Sequence, residues 1–281
     1  MAKETSKTTI NDILKELDVL EDVRTEVLIS EVDGKPTNRM AVVGADSNHI
    51  YSVVSDRYNL VSNKKLIESF EKYLKDSDVK YQRVKVDTFG KKKQRISVRY
   101  NFPEISASFG TTGAIFDSGV TEDKVMMSIE VQNSYDGSCK VAIYIGGFRL
   151  VCANGLRSYD NAYKFAAMHS NSEVENIDNL LIVNFETAKE IFLNGLCKTW
   201  QEFQNTKFDK KAAGLIFRSL ELNKRYKKIL ASMWLEEKEK LQTMWDFYNV
   251  ITWFTTHYVS HRNKNLAQNI LNKTMSAMTE Q

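Results

Sequence analysis

Residues 79–102 read VKYQRVKVDTFGKKKQRISVRYNF. Apolar and polar residues alternate in Val79–Thr88 and again in Arg95–Phe102. Alternation with a period of two is typical of a β-strand that buries one face. The segment Phe89–Gln94 contains a glycine and three lysines and separates the two runs. The sequence therefore predicts a β-hairpin with a basic tip.

Other segments of the first half predict further strands and two helices. Apolar spacing of three and four residues predicts an amphipathic helix at Ile10–Leu20 and another that begins after the cap residue Ser62 and ends near Lys75. The strand-like runs are Val23–Ser30, Met40–Val43, Tyr51–Val54, Ile105–Phe109, Val125–Gln132 and Lys140–Ile145. Because strands and helices do not alternate regularly, we expect no doubly wound fold.

The second half differs in character. All four tryptophans lie after Val151, and long helical patterns replace the strand patterns beyond Asn154-Gly155. Leu241–Val259 is apolar on more than one face, which predicts a helix central to a helical subdomain. We therefore expect an α+β protein with a twisted, mainly antiparallel sheet of six to eight strands and flanking helices, followed by a C-terminal helical subdomain. The predicted regions are residues 1–155 and 156–281.

Composition limits the class of protein. The longest apolar runs are far shorter than the roughly 20 residues needed to cross a bilayer. The N-terminus lacks the apolar core of a secretory signal, so we expect a cytoplasmic protein with no membrane partner. Its three cysteines have no paired spacing, which argues against a disulfide framework and a zinc site. We expect no cofactor.

Positive charge is concentrated in two segments. The whole chain carries a net charge of +3, whereas Lys80–Phe102 carries +7 and Lys207–Lys228 carries +6, which leaves −10 on the remainder. Such asymmetry can focus an electrostatic field on one surface.

The hairpin combines basic groups with rings. Basic side chains neutralise phosphates, and aromatic faces stack on unpaired bases, so this combination suits single-stranded nucleic acid. The alternative is a solvated tip whose aromatic residues face the core. The candidate binding residues are Phe89, Lys91, Lys92, Lys93, Arg95, Arg99 and Tyr100.

A second candidate cluster repeats this chemistry on a predicted helix. It consists of Lys224, Arg225, Tyr226, Lys227 and Lys228. The alternative is an ordinary exposed helix face.

Motifs for catalysis and metal binding are missing. There is no Gly-x-Ser-x-Gly elbow and no phosphate loop that ends in Gly-Lys-Ser/Thr. His257 and His261 are four residues apart, but no acidic or cysteine ligand accompanies them. We therefore expect a protein that is not an enzyme and holds no metal.

Four segments form an ordered series of motifs: Tyr51–Tyr58 (YSVVSDRY), Asn133–Ser138 (NSYDGS), Arg149–Asn154 (RLVCAN) and Trp245–Thr252 (WDFYNVIT). Taken together, they resemble the signature segments of the phage/plasmid-like family known as domain of unknown function 932. One departure is Tyr135, which stands where the family is expected to carry histidine. The resemblance implies a setting of mobile genetic elements, in which many proteins handle unpaired DNA.

Within these motifs, Arg57 and Arg149 are the residues best suited to phosphate contacts, because a guanidinium group can pair with two oxygens at once. The alternative is a buried ion pair with Asp56 or Asp136.

We therefore expect a single-stranded DNA-binding protein of replication, recombination or transcription, with RNA as an alternative ligand. Phage or host replication and transcription proteins, or a second copy of the chain, are further expected partners. One rival hypothesis is a protein–protein adaptor of a mobile element, for polymerase recruitment or against host defence. Another is a metal-dependent nuclease whose carboxylates converge only in three dimensions. Its acids would be Asp46, Asp56, Asp117, Asp123 and Asp136.

Overall fold

The computed structural model describes residues 20–109, 124–149, 154–157, 164–169, 177–259 and 264–279. Several predicted features lie outside these ranges. They are most of the helix predicted at Ile10–Leu20, the acids Asp117 and Asp123, the motif segment Leu150–Ala153 and the histidine His261.

A three-stranded antiparallel sheet begins the described chain. Its strands are β1 (Val23–Ile29), β2 (Pro36–Gly44) and β3 (Ile50–Ser55), in the order β1-β2-β3. Gly34 lies in the β1–β2 turn with φ +67°, a conformation that glycine adopts without strain. These elements confirm the three strands and the turn expected from the sequence.

A second sheet has six strands. They are β4 (Gln82–Phe89), β5 (Arg95–Ser108), β6 (Lys124–Ser134), β7 (Val141–Arg149), β8 (Asn154–Arg157) and β9 (Lys164–Ala167). The order is β4-β5-β6-β7-β8, and β9 pairs with β7. Both pairs with a described register, β4–β5 and β7–β8, are antiparallel. The α+β class is confirmed, but the strands form two sheets and not the single sheet that was expected.

Strand β5 runs without interruption through Pro103, although Ile105–Phe109 was expected to form a separate strand. A proline cannot donate a backbone hydrogen bond, so it belongs where a ladder is open. The described pairing of β5 with β4 ends at Asn101. Pro103 therefore lies outside the described β4–β5 pairing.

Helix α1 (Asn63–Asp76) confirms the prediction for this segment. The Ser62 hydroxyl accepts a hydrogen bond from the Lys65 backbone nitrogen at 3.4 Å and caps the helix. Its apolar face is buried, and the Phe70 ring meets the Tyr100 ring edge to face at a centroid distance of 5.1 Å.

The remaining described elements are helical. They are α2 (Ile177–Glu190), a π-helical segment (Ile191–Leu196), α3 (Cys197–Asn205), α4 (Lys210–Ser219), α5 (Lys224–Glu237), α6 (Met244–His257) and α7 (Lys264–Thr279). Helix α6 buries residues on nearly every side, as expected of a central helix. The helical C-terminal region is therefore confirmed.

The chain divides into two compact units that each draw on both sides of residue 155. The first unit comprises Met1–Asn101, Ile129–Ile143 and Phe165–Glu186, and the second comprises Phe102–Ser128, Tyr144–Lys164 and Thr187–Gln281. Strands β5, β6 and β7 contribute residues to both units.

Each unit has a core of its own, and the core of the second unit is rich in aromatic rings. In the first unit, Val42 and Val54 pack with Tyr135. In the second unit, Trp200 and Trp245 lie 5.9 Å apart, and Phe109 stacks on Trp245 at 4.9 Å.

Candidate nucleic-acid interface

The tip of the β4–β5 hairpin is a compact turn. Gly90 and Lys93 have positive φ angles of 89° and 54°, and the Lys93 backbone nitrogen donates to the Gly90 carbonyl at 3.2 Å. The Gln94 Oε1 atom accepts a hydrogen bond from the Lys92 backbone nitrogen at 3.1 Å. The turn leaves Lys91, Lys92 and Lys93 exposed. None of these three side chains has a hydrogen bond or ion pair among the described residues.

The family motif Asn133–Ser138, here called the motif turn, holds this hairpin tip in place. The Tyr135 backbone nitrogen donates to the Gln94 carbonyl at 2.7 Å, and Gln94 Nε2 donates to Asp136 Oδ2 at 3.1 Å. Arg95 Nε lies 3.7 Å from the same carboxylate oxygen. Partial burial opposes ionisation of Asp136, but hydrogen bonds from Ser138 and Gln94 and the nearby arginine lower its pKa.

The motif turn also joins β3 and α1. Asn133 is fully buried, and its Nδ2 atom donates to the Val61 carbonyl at 2.9 Å and to Asn63 Oδ1 at 2.8 Å. The Ser52 hydroxyl donates to the Tyr135 carbonyl. Two of the motif segments therefore meet within the first unit, where they hold the strand and helix ends together.

The register of the β4–β5 pair places the two candidate rings of the hairpin, Phe89 and Tyr100, on opposite faces of the sheet. Phe89 pairs with Arg95 and Lys85 pairs with Arg99, so Phe89 shares a sheet face with the two arginines. Tyr100 points to the opposite face and is 0% exposed. Burial raises the pKa of Tyr100 well above its usual value. The prediction that Tyr100 stacks on a base is therefore wrong, because its ring is part of the core.

The two predicted arginines have acidic partners. Arg99 Nη2 lies 3.7 Å from Glu130 Oε2, a buried carboxylate that also accepts a hydrogen bond from the Ser97 hydroxyl. Arg95 is exposed but lies beside Asp136, as described above. Both arginines lie on the same sheet face as Phe89, but their charges are partly neutralised, which the local count of basic residues did not anticipate.

The second predicted cluster lies at the start of α5. Asn223 caps this helix by accepting a hydrogen bond from the Tyr226 backbone nitrogen at 2.9 Å. The basic side chains of Lys224, Arg225, Lys227 and Lys228 are exposed and have no acidic partner among the described residues.

Tyr226, the ring of this cluster, turns inward. It is 7% exposed, and its ring meets Phe254 edge to face at 5.9 Å. The prediction that Tyr226 stacks on a base is therefore wrong. Tyr226 is the third residue of α5, and this position faces α6 and not solvent.

The two basic clusters belong to different compact units. The hairpin tip lies in the first unit and the start of α5 in the second. Arg57 is in the first unit, exposed, and without a partner among the described residues. The alternative of a buried ion pair between Arg57 and Asp56 or Asp136 is therefore wrong. Arg149 is the last residue of β7, and its side chain lies outside the described part of the structure.

A pocket of about 340 Å³ lies beside the hairpin in the first unit. Its walls include Tyr51, Tyr135 and the hairpin lysine Lys93. Tyr51 donates a hydrogen bond to Glu21 Oε1 at 2.9 Å, and Ser47 donates to the same carboxylate. Led by the Ser47 hydroxyl, these bonds lower the pKa of Glu21 to about 2.

Tyr51 and Tyr135 are pocket residues that were not predicted from the sequence. Both lie inside family motifs, and that placement was the only signal available. The two rings lie 5.2 Å apart although the residues are separated by 84 positions in the sequence. Only the contact between these distant segments brings them to the same pocket.

The described residues contain no group of three histidine, cysteine, aspartate or glutamate side chains that could hold a metal ion. His257 lies against Trp253 at a centroid distance of 3.9 Å, and burial lowers its pKa. None of the described helices is both long and apolar enough to cross a membrane.

Comparison with known proteins identifies the family. A family model described as Domain of unknown function (DUF932) matches residues 50–277. Searches of curated proteins and of solved structures returned no match. The matched range includes both the motif turn and the central helix α6. The chain is therefore a member of the domain of unknown function 932 family.

Proposed function

We propose that this protein binds single-stranded nucleic acid, DNA in the first place, through phosphate contacts at the hairpin tip. One observation carries the proposal: Lys91, Lys92 and Lys93 are exposed, adjacent and without acidic partners among the described residues. Lysines on a solvated face are commonly interspersed with acids, whereas phosphate binding requires charge that is not already neutralised. The hydrogen bonds between Gln94 and the motif turn hold the tip in one conformation, which reduces the entropy lost on binding.

The start of α5 supports the same proposal independently. The N-terminus of a helix carries partial positive charge, so each exposed cation in its first turn costs about 0.3–1 kcal/mol. Lys224 and Arg225 occupy this turn, which has no acidic residue. Their presence weakens the helix, and a bound phosphate would offset that cost.

The preference for a single strand rests on Phe89. It is half-buried and lies across from Arg95 on the sheet face that ends at the hairpin tip. An unpaired base can stack on such a ring beside phosphates held by lysines, whereas a paired base in a duplex cannot.

We also propose that the chain acts in replication, recombination or transcription of a phage or plasmid, in the cytoplasm of the bacterial host. This part of the proposal follows from the likeness of its motifs to a phage/plasmid-like family.

The test is a titration of a fluorescent single-stranded oligonucleotide at several salt concentrations. We expect affinity to fall with salt, with a slope of about 0.7 per phosphate neutralised. Changing Lys91, Lys92 and Lys93 together to alanine should lower both the affinity and this slope. The matched control changes three exposed lysines of α1, Lys65, Lys72 and Lys75, to alanine.

The control removes the same charge from the same compact unit, so an equal loss in both triple variants would indicate a nonspecific effect of net charge. Affinity that is independent of salt would contradict the proposal outright.

The ring is tested separately. Phe89→Leu keeps apolar volume but removes the aromatic face, so it should weaken single-strand binding by about 1–3 kcal/mol. Tyr100→Phe serves as the control, because its buried ring cannot reach a base. Equal affinity of the wild-type protein for duplex and single strand would remove the stacking part of the proposal.

A further inference from the structure

Strand β1 forms one edge of the three-stranded sheet. It pairs with β2 on one side, and its other side has no neighbouring strand among the described residues. The side chains from Arg24 to Val27 are exposed, including Val27 at 54%, and Ile29 is 57% exposed. An accessible edge strand is a template for pairing with another strand.

The backbone groups that are open on this edge can be assigned. The Asp22 carbonyl accepts a hydrogen bond from the Ala45 backbone nitrogen at 2.7 Å, so residue 22 directs its carbonyl towards β2. Along an antiparallel strand, successive residues direct their N–H and C=O groups to opposite sides of the strand. Val23, Thr25 and Val27 therefore direct their N–H and C=O groups outward.

These outward groups fit a second copy of the same strand. If two β1 strands pair antiparallel about a twofold axis at Thr25, then Thr25 meets Thr25 of the partner subunit, and Val23 meets Val27 of the partner subunit. Each of these is a hydrogen-bonded pair that uses the open backbone groups. The register therefore agrees with the backbone direction that the Asp22 hydrogen bond establishes.

The side chains between these pairs are complementary in charge. In the same register, Arg24 lies opposite Glu26 of the partner subunit, and the twofold axis repeats this pair. Opposite charges that face each other across two strands stabilise the pairing of those strands. Within one chain, Arg24 Nη2 already lies 2.8 Å from Glu26 Oε1, so the two pairs would form an alternating cluster of four charges.

We propose that two copies of this chain associate through β1 and join their three-stranded sheets into one continuous sheet. The register irregularity between Val27 and Ile29 limits the new ladder to Val23–Val27. The strand contains neither proline nor lysine, and its two charged residues, Arg24 and Glu26, are opposite in sign and face each other in this register instead of repelling a second copy. Pairing also covers the exposed Val27 with Val23 of the partner subunit.

Charge exchange tests the proposal. Glu26→Lys places cations opposite Arg24 of the partner subunit and should weaken self-association by roughly tenfold, measured by sedimentation velocity. Arg24→Glu should do the same by placing acids opposite Glu26. A mixture of the two single variants should form a mixed dimer, and the double variant should regain self-association.

The matched control is Glu31→Lys, the same charge change at an exposed position outside β1, which should leave association unchanged. Because Arg24 also bonds the Asn48 side chain at 2.8 Å, a second variant avoids this residue. Thr25→Lys brings two cations together at the twofold axis and should abolish the dimer. A wild-type protein that stays monomeric, or a dimer unaffected by Glu26→Lys and Thr25→Lys, would overturn the proposal.

Discussion

The Tyr135 hydroxyl accepts a hydrogen bond from the Asn63 backbone nitrogen at 3.0 Å, which ties the motif turn to the first turn of helix α1. Both residues are buried. A backbone N–H at the start of a helix has no partner within the helix, so a side chain that accepts from it satisfies a group that would otherwise remain open.

Removing this hydroxyl should destabilise the fold. Tyr135→Phe leaves a buried N–H without a partner, which costs about 1–3 kcal/mol in the free energy of unfolding, measured with urea. Tyr73→Phe is the matched control, because the Tyr73 hydroxyl donates to Glu186 at 3.0 Å at an exposed position. Equal losses in the two variants would contradict the role assigned to Tyr135.

The Glu71–Arg83 ion pair should contribute more to the free energy of unfolding than an ion pair on the surface does. Arg83 Nε and Nη2 donate to the two oxygens of the largely buried Glu71 at 2.7 and 2.6 Å. Arg83→Met removes the only cation paired with this acid among the described residues and leaves it the hydrogen bond from the Tyr100 hydroxyl at 3.1 Å, so it should cost about 3 kcal/mol, near the low end for buried pairs. Lys210→Met breaks the exposed pair with Glu239 and should cost no more than about 1 kcal/mol.

Both losses are measured as free energies of unfolding in the same denaturant. A loss for Arg83→Met as small as that for Lys210→Met would show that Glu71 finds water or another donor.

Replacing glycine by alanine should change the stability of the protein in opposite directions at two positions. A Cβ atom at Gly147 would lie 2.6 Å from Val125 and 2.7 Å from the Trp200 ring, so Gly147→Ala should lower the melting temperature. Gly214 lies inside α4, and a Cβ there meets nothing within 4 Å. Gly214→Ala should therefore stabilise the protein by up to about 1 kcal/mol. A melting temperature that falls in both variants would be inconsistent with this packing.

Glu21 should make the free energy of unfolding depend on pH in the acidic range. Its folded pKa of about 2 is below the ordinary 4.5, so the stabilisation is complete above pH 4.5 and is lost as pH falls towards 2. The wild-type protein should have a higher free energy of unfolding than Glu21→Gln above pH 4.5. This difference should shrink as the pH falls from 4.5 towards 2. The effect should be small, because Glu21 is only partly buried and water screens its carboxylate.

The titration of Glu21 can also be followed directly by carboxyl carbon NMR. Ser47→Ala removes the hydroxyl that contributes most to the shift and should raise the pKa of Glu21. A midpoint near 4.5 in the wild-type protein would contradict the hydrogen bonds assigned to this carboxylate.

The sequence alone predicted the elements that depend on neighbours along the chain. Helix α1 follows from the Ser62 cap and an apolar face that repeats every three to four residues. The β4–β5 hairpin follows from alternation on each side of a glycine-containing turn. Interactions of this kind span only a few residues, so composition and spacing contain the information needed.

The sequence did not show how the strands divide into two sheets. Strand pairing joins segments that lie far apart along the chain, and alternation specifies which face of a strand is apolar but not which strand lies beside it. The prediction of a separate strand at Ile105–Phe109 was wrong, because β5 continues through Pro103 to Ser108.

For the candidate interface, the sequence by itself determined that basic residues cluster at a hairpin tip and at a helix start. Only the tertiary structure decided which of their neighbours are accessible. Tyr100 follows Arg99 directly, yet successive side chains of a strand point to opposite faces, so the ring enters the core while the arginine meets Glu130, 31 positions away. The charge of a residue is a local property, whereas its freedom to bind depends on what the fold places beside it.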